Sequence, residues 1–469
     1  MLAGSTVSIR PRSGGIPGRT DRCRMTWTVI RRKESVMSGL GTHKQGDIDT
    51  SFGIDGTFEL KVEGYVIEPG ANERLRALAR ADDGSIMLAM GCSPPEGGWR
   101  YGLAKITRDG QFDPSFGNQG VVVEPPLSGE TLQGAQPFPV DGNATVLVLR
   151  SQGSDTWMLT RRDGAGAIDT SFGIDGYVNL DGIRPPGEPG VVKGFVIPAG
   201  GGEFFFVGTT QNAEQRYGGI VLRFDASGHL SPAFAGKGYA LVDVPLGARG
   251  RITDAVVQDD GKILLSTATV AGNSRIVRLL PTGEPDPAFG TNGAFVVESD
   301  GAHRNEIERL FWSEEAGIWA AGTIMSRPPA AGLLLTLDDD GTIPVGFNGG
   351  RYLELNYGGA DDGGIFAYPM HIEASGQGVT LVGRADYDGT LIKRVIVGRH
   401  DRTGALDPSF SDDNGFFIID VDLKGLNFLF FGIDVTDAHL TFEILTGNGA
   451  GGTPPERVLV QRYTSWGAR

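Results

Sequence analysis

The stretch Asp-Pro-Ser-Phe-Gly-Asn-Gln-Gly at residues 113–120 decides the fold, because the chain repeats it. The pattern Asp-x-x-Phe-Gly-x-x-Gly also occurs at 49–56, 169–176 and 286–293, and three looser copies lie elsewhere. The seven motif phenylalanines are separated by 64, 56, 62, 55, 58 and 63 residues; they are Phe52, Phe116, Phe172, Phe234, Phe289, Phe347 and Phe410. A near-constant period indicates one supersecondary unit that is copied and stacked.

Each period predicts four β-strands. In the first period we expect them at residues 57–66, 74–81, 86–91 and 101–108, with an Asp-Gly turn at 82–84. Apolar runs of this length between Asp-Gly turns are typical of a β-meander. Four antiparallel strands in each of seven units predict an all-β fold, a seven-bladed β-propeller over residues 46–469.

The two ends of the repeat region predict how the ring closes. The last strand, at 457–463, stops where an eighth motif is due, whereas the first motif has no strand before it. A β-solenoid, the alternative repeat fold, needs caps instead of such complementary ends. We therefore predict a ring closed by pairing between the amino-terminal and carboxyl-terminal segments.

A basic residue stands eleven positions before most motif phenylalanines, and an acid stands three before. Where the base is lost, at Thr336, the acid is lost too, at Pro344. We predict that base and acid pair in each unit, with Arg462 and Asp49 pairing across the ring seam. The other predicted pairs are Lys105–Asp113, Arg161–Asp169, Arg278–Asp286 and Arg399–Asp407, and Arg223 faces Ser231 as an exception.

The motif is predicted to be structural. Its Asp can accept backbone N–H groups at a turn, its glycines permit positive φ, and its phenylalanine can fill the space between blades. A calcium loop at Asp47, Asp49 and Ser51 is an alternative, but the downstream Glu of such a loop is absent. We expect no metal site and no cofactor.

The first 45 residues differ from the rest. They hold nine basic and two acidic side chains, which leaves 33 basic and 55 acidic residues, a net charge of −22, in the repeat body. We interpret residues 1–45 as a disordered basic extension, with Met37 as an alternative start. An acidic body excludes nucleic acid as a partner.

No apolar run approaches the roughly 20 residues of a membrane helix, and no secretory signal peptide is evident. The sequence therefore predicts no membrane insertion and, by default, a cytoplasmic protein, although leaderless export stays open. Two cysteines, Cys23 and Cys92, do not make a disulfide framework.

The phrases at 109–117 and 404–410, recurring about every 60 residues after an Arg-bearing strand, resemble the bacterial delta-60 repeat. The copies around Phe234, Phe347 and Phe410 depart from its pattern. The resemblance implies a propeller-like repeat fold in a bacterial protein, and it implies no activity or catalytic residue.

Function is expected where the repeats differ. One set of loops is irregular, at 92–100, 183–190, 211–217, 298–305, 356–364, 387–393 and 448–456, and such loops emerge on one face of an up-and-down blade. Insertions on one face of a repeat protein typically mark a binding face. The candidate ligand contacts are Trp99, Arg100, Arg216, Tyr217, His303, Arg304, Asp361, Asp362 and Tyr387.

Two functions remain open on these residues. The favoured interpretation is a non-catalytic propeller that presents this face to a protein or glycan partner. The alternative is a propeller hydrolase or lyase that acts on a saccharide or lactone, possibly with a metal. Two or more carboxylates at the channel mouth, with His303 or His371, would favour the enzyme.

Overall fold

The computed structural model describes most of the repeat body. The described residues are 6–7, 27–28, 46–69, 78–81, 83–95, 97, 100–124, 131–140, 144–152, 157–183, 190–212, 217–242, 250–269, 273–298, 304–325, 330–357, 365–386, 394–411, 414–421, 427–436, 438–447 and 457–464. In the amino-terminal 45 residues, only the short strands β1 (Thr6–Val7) and β2 (Trp27–Thr28) are described, and they pair with each other.

The body is an all-β, propeller-like fold of antiparallel sheets. Four sheets among the described residues are separate and four-stranded. In three of them the strands follow the chain order. One contains β9 (Thr131–Val140), β10 (Ala144–Gln152), β11 (Trp157–Arg162) and β12 (Tyr177–Asn179), and the next contains β13 (Gly190–Gly200), β14 (Glu203–Gln211), β15 (Tyr217–Phe224) and β16 (Tyr239–Val242). The third contains β25 (Ile365–Ser375), β26 (Gly378–Asp386), β27 (Arg394–Asp401) and β28 (Phe416–Asp420).

The fourth separate sheet joins the two ends of the chain. Its strands are β29 (Asn427–Val435), β30 (His439–Gly447), β31 (Arg457–Thr464) and β3 (Thr57–Leu60). The predicted pairing of the amino-terminal and carboxyl-terminal segments is confirmed, because β3 lies antiparallel to β31.

The remaining strands form two larger sheets. A five-stranded sheet contains β4 (Val66–Pro69), β5 (Leu78–Arg80), β6 (Ile86–Ser93), β7 (Arg100–Ile106) and β8 (Val121–Val123). An eight-stranded sheet contains β17 (Arg251–Val257), β18 (Ile263–Ala268), β19 (Arg275–Leu279), β20 (Ala294–Val296), β21 (Asn305–Ser313), β22 (Gly317–Ile324), β23 (Ala331–Leu337) and β24 (Leu353–Leu355). Only the pair Ala268–Glu306 links β18 to β21, so this sheet consists of two four-stranded units.

One expectation about the unit is wrong. The strand after each motif is expected to open the next unit, but β12 follows the motif at 169–176 and pairs with β11. The motif is therefore the hairpin between the third and fourth strands of one sheet. A strand that follows a short hairpin turn usually pairs with the strand just before that turn.

The first strand of each unit lies against that of the next. The contacts run in order through β5, β9, β13, β17, β21, β25 and β29, and β29 in turn contacts β5. Buried apolar residues fill the spaces between neighbouring units: one cluster joins Phe205 of β14 to Ile263 of β18, and another joins Leu78 of β5 to Val460 of β31. This cyclic succession is that of a propeller ring.

No helix among the described residues is long and apolar enough to cross a membrane. The helical turn α1 spans Leu180–Ile183.

Each motif phenylalanine is at most 3% exposed. The six from Phe52 to Phe347 lie beneath a glycine turn of the next unit. Gly110 lies in the turn above Phe52. A Cβ atom on Gly110 would stand 3.0 Å from the Phe52 ring and 2.6 Å from the Gly53 nitrogen. Gly53 itself has φ of 58° and donates its N–H to the Asp109 carbonyl at 2.8 Å. The turn therefore requires glycine, because neighbouring units approach each other closely there. Burial of one motif phenylalanine stabilises the fold by about 2 kcal/mol.

The predicted pairs of base and acid are found in most units. The nitrogen-to-oxygen distances are 3.2 Å for Lys105–Asp113, 2.7 Å for Arg161–Asp169 and 2.8 Å for Arg278–Asp286. The pair Arg399–Asp407 is wrong: Arg399 donates to the Thr380 hydroxyl instead, at 3.2 Å.

Two further units replace the pair. Arg223 binds Glu203 at 2.7 Å where Ser231 offers no carboxylate, and the Thr336 hydroxyl donates to the Ile318 carbonyl at 2.8 Å.

Four arginines at this position also stack on motif phenylalanines: Arg161, Arg278, Arg399 and Arg462. The guanidinium carbon lies 4.7 Å from the ring centroid for Arg462 over Phe52, and 4.5 Å for Arg278 over Phe289. Such a cation–π contact adds about 1 kcal/mol. Arg161 also donates to the Ala226 carbonyl in the next unit, which ties adjacent sheets together.

The seam reproduces one repeat turn from two chain ends. Arg462 Nε donates to Asp49 Oδ2 at 2.7 Å, which confirms the predicted seam pair. Gly46 N–H donates to the Thr464 carbonyl at 3.0 Å, as Gly110 N–H donates to the Thr107 carbonyl at 2.9 Å within an unbroken unit. Burial raises the pKa of Asp49, but hydrogen bonds from Ser51 and the Arg462 charge outweigh it and hold that pKa below its usual value.

Replacing Arg462 by glutamine should destabilise the ring more than an exposed arginine on the same strand. The Asp49 carboxylate is only 8% exposed, and the variant leaves it only its contacts with His439 and Ser51, so the free energy of unfolding should fall by up to about 3 kcal/mol. Arg457→Gln, which removes the exposed pair with Glu59, should cost at most about 1 kcal/mol. Urea unfolding of both variants measures the difference, and equal losses would contradict a seam held by Arg462.

A buried carboxylate lies beside this seam. Glu443 of β30 is 1% exposed, and its Oε2 has no hydrogen-bond partner among the described residues. A Cβ on Gly432 would stand 3.0 Å from that oxygen and 2.6 Å from Leu78 of the first unit. Burial raises the pKa of Glu443 to about 8 from the ordinary 4.5, so the folded protein holds this proton more tightly than the unfolded chain.

The stability of the seam should therefore fall with rising pH. The contribution of protonated Glu443 is fully present below about pH 4.5 and is lost as the pH rises to about 8. Glu443→Gln should remove this loss, so its stability relative to the natural protein should grow between about pH 5 and pH 9. Thermal unfolding across that range checks it, with the exposed Glu63→Gln as control; a parallel pH profile for Glu443→Gln and the natural chain would refute the assignment.

Candidate functional site

A group of charged residues lies where three first strands begin. Inner strands start at the irregular loops and end at the short Asp-Gly turns, so Arg251, the first residue of β17, and Glu306, the second of β21, lie at the irregular-loop end of the ring axis. We call the set at this end the bulge cluster; its members are Arg251, Arg304, Glu306, Glu308, Arg309, Thr323, Tyr368 and Arg384.

Glu306 holds two arginines of the cluster. Arg251 Nη2 lies 2.5 Å from Glu306 Oε2, and Arg304 Nη2 lies 3.3 Å from Glu306 Oε1. The side chains of Arg251 and Glu306 are 8% and 5% exposed, so this pair is buried between two neighbouring units. Both carboxylate oxygens are engaged, and Glu306 therefore orients guanidinium groups.

Glu308 sits on a β-bulge. The register between β21 and β22 shifts between Ile307 and Arg309, which leaves Glu308 with no residue opposite it. Bulges bend a strand and re-aim side chains, and they are common beside active sites. The Thr323 hydroxyl of β22 donates to Glu308 Oε2 at 3.3 Å and fixes the side chain.

A second bulge, in β25, meets the first at Thr323. Tyr368 has φ of 54°, a left-handed value that costs a bulky residue energy, and its N–H donates to the Thr323 hydroxyl at 3.1 Å. The guanidinium of Arg384 lies 4.8 Å from the centroid of the Tyr368 ring. One hydroxyl thus couples the positions of a carboxylate, an aromatic ring and an arginine.

The surroundings of Glu308 favour its protonated form. Burial raises its pKa and the Glu306 charge raises it further; Arg309, Arg251 and Arg384 lower it, but not enough to cancel the effect of burial. Part of the Glu308 surface is nevertheless open. A carboxyl group with a raised pKa and open surface has the character of a general acid, which must hold a proton and deliver it to a ligand.

Of the nine predicted ligand contacts, three are described. Arg304 belongs to the bulge cluster. Tyr217 closes the β14–β15 hairpin, where its hydroxyl accepts from Gln211 Nε2 at 3.0 Å, and Arg100 begins β7, with its Nε buried. The other six lie outside the described residues: Trp99, Arg216, His303, Asp361, Asp362 and Tyr387.

Two carboxylates, Glu306 and Glu308, lie at the irregular-loop end, which is one part of what was expected of an enzyme; of the two histidines also expected there, His303 lies outside the described residues. His371 lies further along β25, with its Nε2 3.9 Å from Glu373 Oε2. The sequence analysis did not select Glu306 or Glu308. The available signal was the run Asn305-Glu306-Ile307-Glu308-Arg309, which puts three charges into a strand expected to be buried.

A family model, domain of unknown function (DUF5122) beta-propeller, matches residues 258–289. That stretch is part of one repeat, from the turn before β18 to the motif phenylalanine Phe289. No curated protein matches the chain.

Solved structures similar to this chain include carbohydrate-active enzymes. The polysaccharide lyase Uly1 is 10% identical, with 83% of this chain and 90% of that chain covered and a TM-score of 0.49. The β-xylosidase/α-arabinofuranosidase CoXyl43 from a compost metagenome is 10% identical to this chain. The match covers 72% of this chain and 93% of CoXyl43, with a TM-score of 0.31. The β-propeller domain of the trilobed protease from Pyrococcus furiosus is 10% identical and is described as having an open velcro topology. The match covers 85% of this chain and 98% of that domain, with a TM-score of 0.41. These likenesses assign no role to any residue of this chain.

The two carboxylates of the cluster should respond oppositely to neutralisation. Glu308→Gln should raise the thermal midpoint at about pH 8, because burial of the charged form is costly. Glu306→Gln should lower the free energy of unfolding by about 3 kcal/mol, because it leaves Arg251 and Arg304 without their carboxylate. Thermal and urea unfolding of the two variants test this, and stabilisation by both substitutions would show that Glu306 does not hold the arginines.

Proposed function

We propose that this protein is an enzyme that cleaves a saccharide, as a hydrolase or a lyase, at the irregular-loop end of the ring axis. The observation that carries the proposal is Glu308, a bulge residue with a raised pKa and open surface, set among arginines. Evolution rarely keeps a carboxyl group in such surroundings for stability, because an apolar residue would cost less.

Glycosidic cleavage needs, first, a proton for the leaving oxygen. A hydrolase then adds water to the sugar carbon, whereas a lyase loses a proton from the carbon beside a carboxylate to a base and stabilises the anion that forms with positive charge. Protonated Glu308 supplies the first of these protons, since a general acid with a raised pKa keeps its proton until the bond breaks. The guanidinium groups of Arg251, Arg309 and Arg384 supply positive charge in the surroundings of Glu308, which suits the anion that forms in a lyase reaction.

Glu306 acts as a positioning residue in this proposal. One of its oxygens lies 2.5 Å from Arg251 and the other 3.3 Å from Arg304, so each oxygen already faces a guanidinium group. A nucleophile or general base needs an unshared lone pair facing the substrate. Thr323 has a similar supporting role, since it holds Glu308 and Tyr368 together.

The competing function is the non-catalytic protein that presents the irregular-loop face to a protein or glycan. Such a protein would present the same irregular-loop face to its partner, but its function would not require Glu308 to be protonated. Glycan binding without cleavage would favour it.

We propose seven blades for the ring. The four separate sheets, the two halves of the eight-stranded sheet and the five-stranded sheet support that count. The relation to the delta-60 repeat and the cytoplasmic location are likewise proposals, and they rest on the sequence motifs.

Cleavage assays with Glu308→Gln test the function. The purified natural protein, incubated with a panel of neutral and acidic polysaccharides, should release reducing ends; an unsaturated, ultraviolet-absorbing product would identify a lyase. Glu308→Gln should lower kcat by about 10²–10⁴, the range for loss of a general acid. Tyr217→Phe, remote from the cluster, is the control.

A natural protein that cleaves nothing in the panel, or a Glu308→Gln variant with undiminished kcat, would refute this role.

A further inference from the structure

The strand segment that carries Glu308 is held by side chains of the preceding unit, whose strands are β17 to β20. Ile307, the residue directly before Glu308, has both of its backbone groups bonded to that unit. Its N–H donates to Ser274 Oγ at 3.1 Å, and its carbonyl accepts from Thr253 Oγ1 at 2.6 Å. Ser274 is buried. The neighbouring unit therefore fixes the backbone on the amino-terminal side of Glu308.

The carboxyl-terminal side of the bulge is held from the same unit. The Leu310 N–H donates to Asp254 Oδ2 at 3.0 Å, and Asp254 is buried. A bulge residue has no partner in the strand ladder, and buried backbone groups near it must find other partners. Asp254 supplies one of these partners, and Arg251 on the same strand pairs with Glu306. Strand β17 thus holds β21 on both sides of Glu308.

The bulge alone does not distinguish Glu308. Strand pairing also shifts near the start of β13, where Val192 has no residue opposite it, and near the start of β17, where Thr253 has none. The irregular backbone is therefore shared by neighbouring units, whereas the residue at the bulge changes. In β17 that residue carries a hydroxyl, and this hydroxyl bonds to the Ile307 carbonyl beside Glu308. The Glu308 bulge is thus set apart by the side chain of the bulge before it.

The direction of the Thr253 hydroxyl is determined by its two neighbours. Thr253 Oγ1 lies 2.6 Å from the Ile307 carbonyl oxygen and 2.9 Å from Ser266 Oγ. A hydroxyl has a single proton and a carbonyl oxygen can only accept, so Thr253 donates to Ile307 and accepts from Ser266. The other acceptor near Ser266 Oγ, the Asp254 carbonyl, is more distant at 3.4 Å. The donor to Ile307 is therefore itself held in place.

We propose that Thr253 is a positioning residue for Glu308, which sets the direction of the Glu308 carboxyl group by holding the Ile307 carbonyl across the boundary between two units. This inference rests on the proposed function for Glu308, and it adds a residue that need not touch the ligand. A general acid must lie within hydrogen-bond reach of the oxygen that it protonates, and a displacement of about 1 Å can cost about 100-fold in rate. Thr323 holds the carboxyl group itself, whereas Thr253 holds the backbone beside it.

Kinetics of full-length variants test the role of the hydroxyl. Thr253→Val keeps the shape of the side chain but loses the donor. With a glycan that the natural protein cleaves, kcat should fall about 10- to 100-fold. KM should stay within about twofold, because no ligand contact is removed. Thr253→Ser keeps the hydroxyl and should retain most of kcat.

Thr336→Val is the matched control. The Thr336 hydroxyl donates to the Ile318 carbonyl at 2.8 Å, so this substitution removes the same kind of hydrogen bond from a buried threonine. Thr336 lies at the end of β23 that leads into a motif turn, away from the irregular loops. The kcat of this variant should stay within about twofold of the natural value. Equal losses of kcat in Thr253→Val and Thr336→Val, or in Thr253→Val and Thr253→Ser, would overturn the inference.

A second measurement does not depend on activity. Glu308→Gln should raise the thermal midpoint at about pH 8, because the ionised form is buried. In a Thr253→Val background the carboxyl group can turn towards water, so this gain should fall to about half or less. In a Thr336→Val background the gain should be unchanged. A gain of the same size in all three backgrounds, or no gain in any, would overturn the inference.

The outcomes for inference and function are distinct. A natural protein that cleaves no glycan refutes the enzyme, and the thermal midpoints then decide the inference alone. A gain that is reduced by Thr253→Val and not by Thr336→Val supports the inference in that case. Cleavage by the natural protein with undiminished kcat in Thr253→Val supports the enzyme and overturns the inference. Loss of kcat in both Glu308→Gln and Thr253→Val, with Thr336→Val unchanged, supports both.

Discussion

Contact between a motif phenylalanine and the turn of the next unit is the interaction on which the rest of the ring depends. Phe52 lies under Gly110, and the backbone of Gly53 is bonded to the same turn. Arg462 covers the other side of the ring and reaches the Arg108 carbonyl in that turn. Because each unit closes on its neighbour in this way, inner strands are held in a ring and their ends converge on one axis.

The motif made the repeat, the strand regions and the seam predictable, because each depends on local residues. Asp49 and Arg462 could be matched by spacing even though 413 positions separate them. The sequence could not predict to which sheet the strand after the motif belongs. The repeat period is the same whether a strand such as β12 is the last strand of one sheet or the first strand of the next. Pairing between strands decided it.

The candidate site was harder to predict because it depends on bulges. An extra residue in β21 re-aims Glu308, and another irregularity in β25 sets Tyr368 at φ of 54°. No turn signal or glycine marks the bulge in β21. In β25 the signal is Pro369, because proline has no N–H for a strand ladder and is found at bulges. Only Arg304 was selected beforehand, on the ground of its loop position, whereas Arg251 and Arg384 lie inside strands and look like ordinary strand residues.

Two carboxyl groups with raised pKa differ in what surrounds them, and this difference assigns them different roles. Glu443 is 1% exposed, and burial alone raises its pKa. Among the described residues, no charged group contributes to its raised pKa, so its proton serves the packing of the seam. Glu308 lies among arginines that oppose the effect of burial, and part of it is open. Only a group with both access and nearby counter-charge can give up its proton without disrupting the fold, and Glu308 meets both conditions.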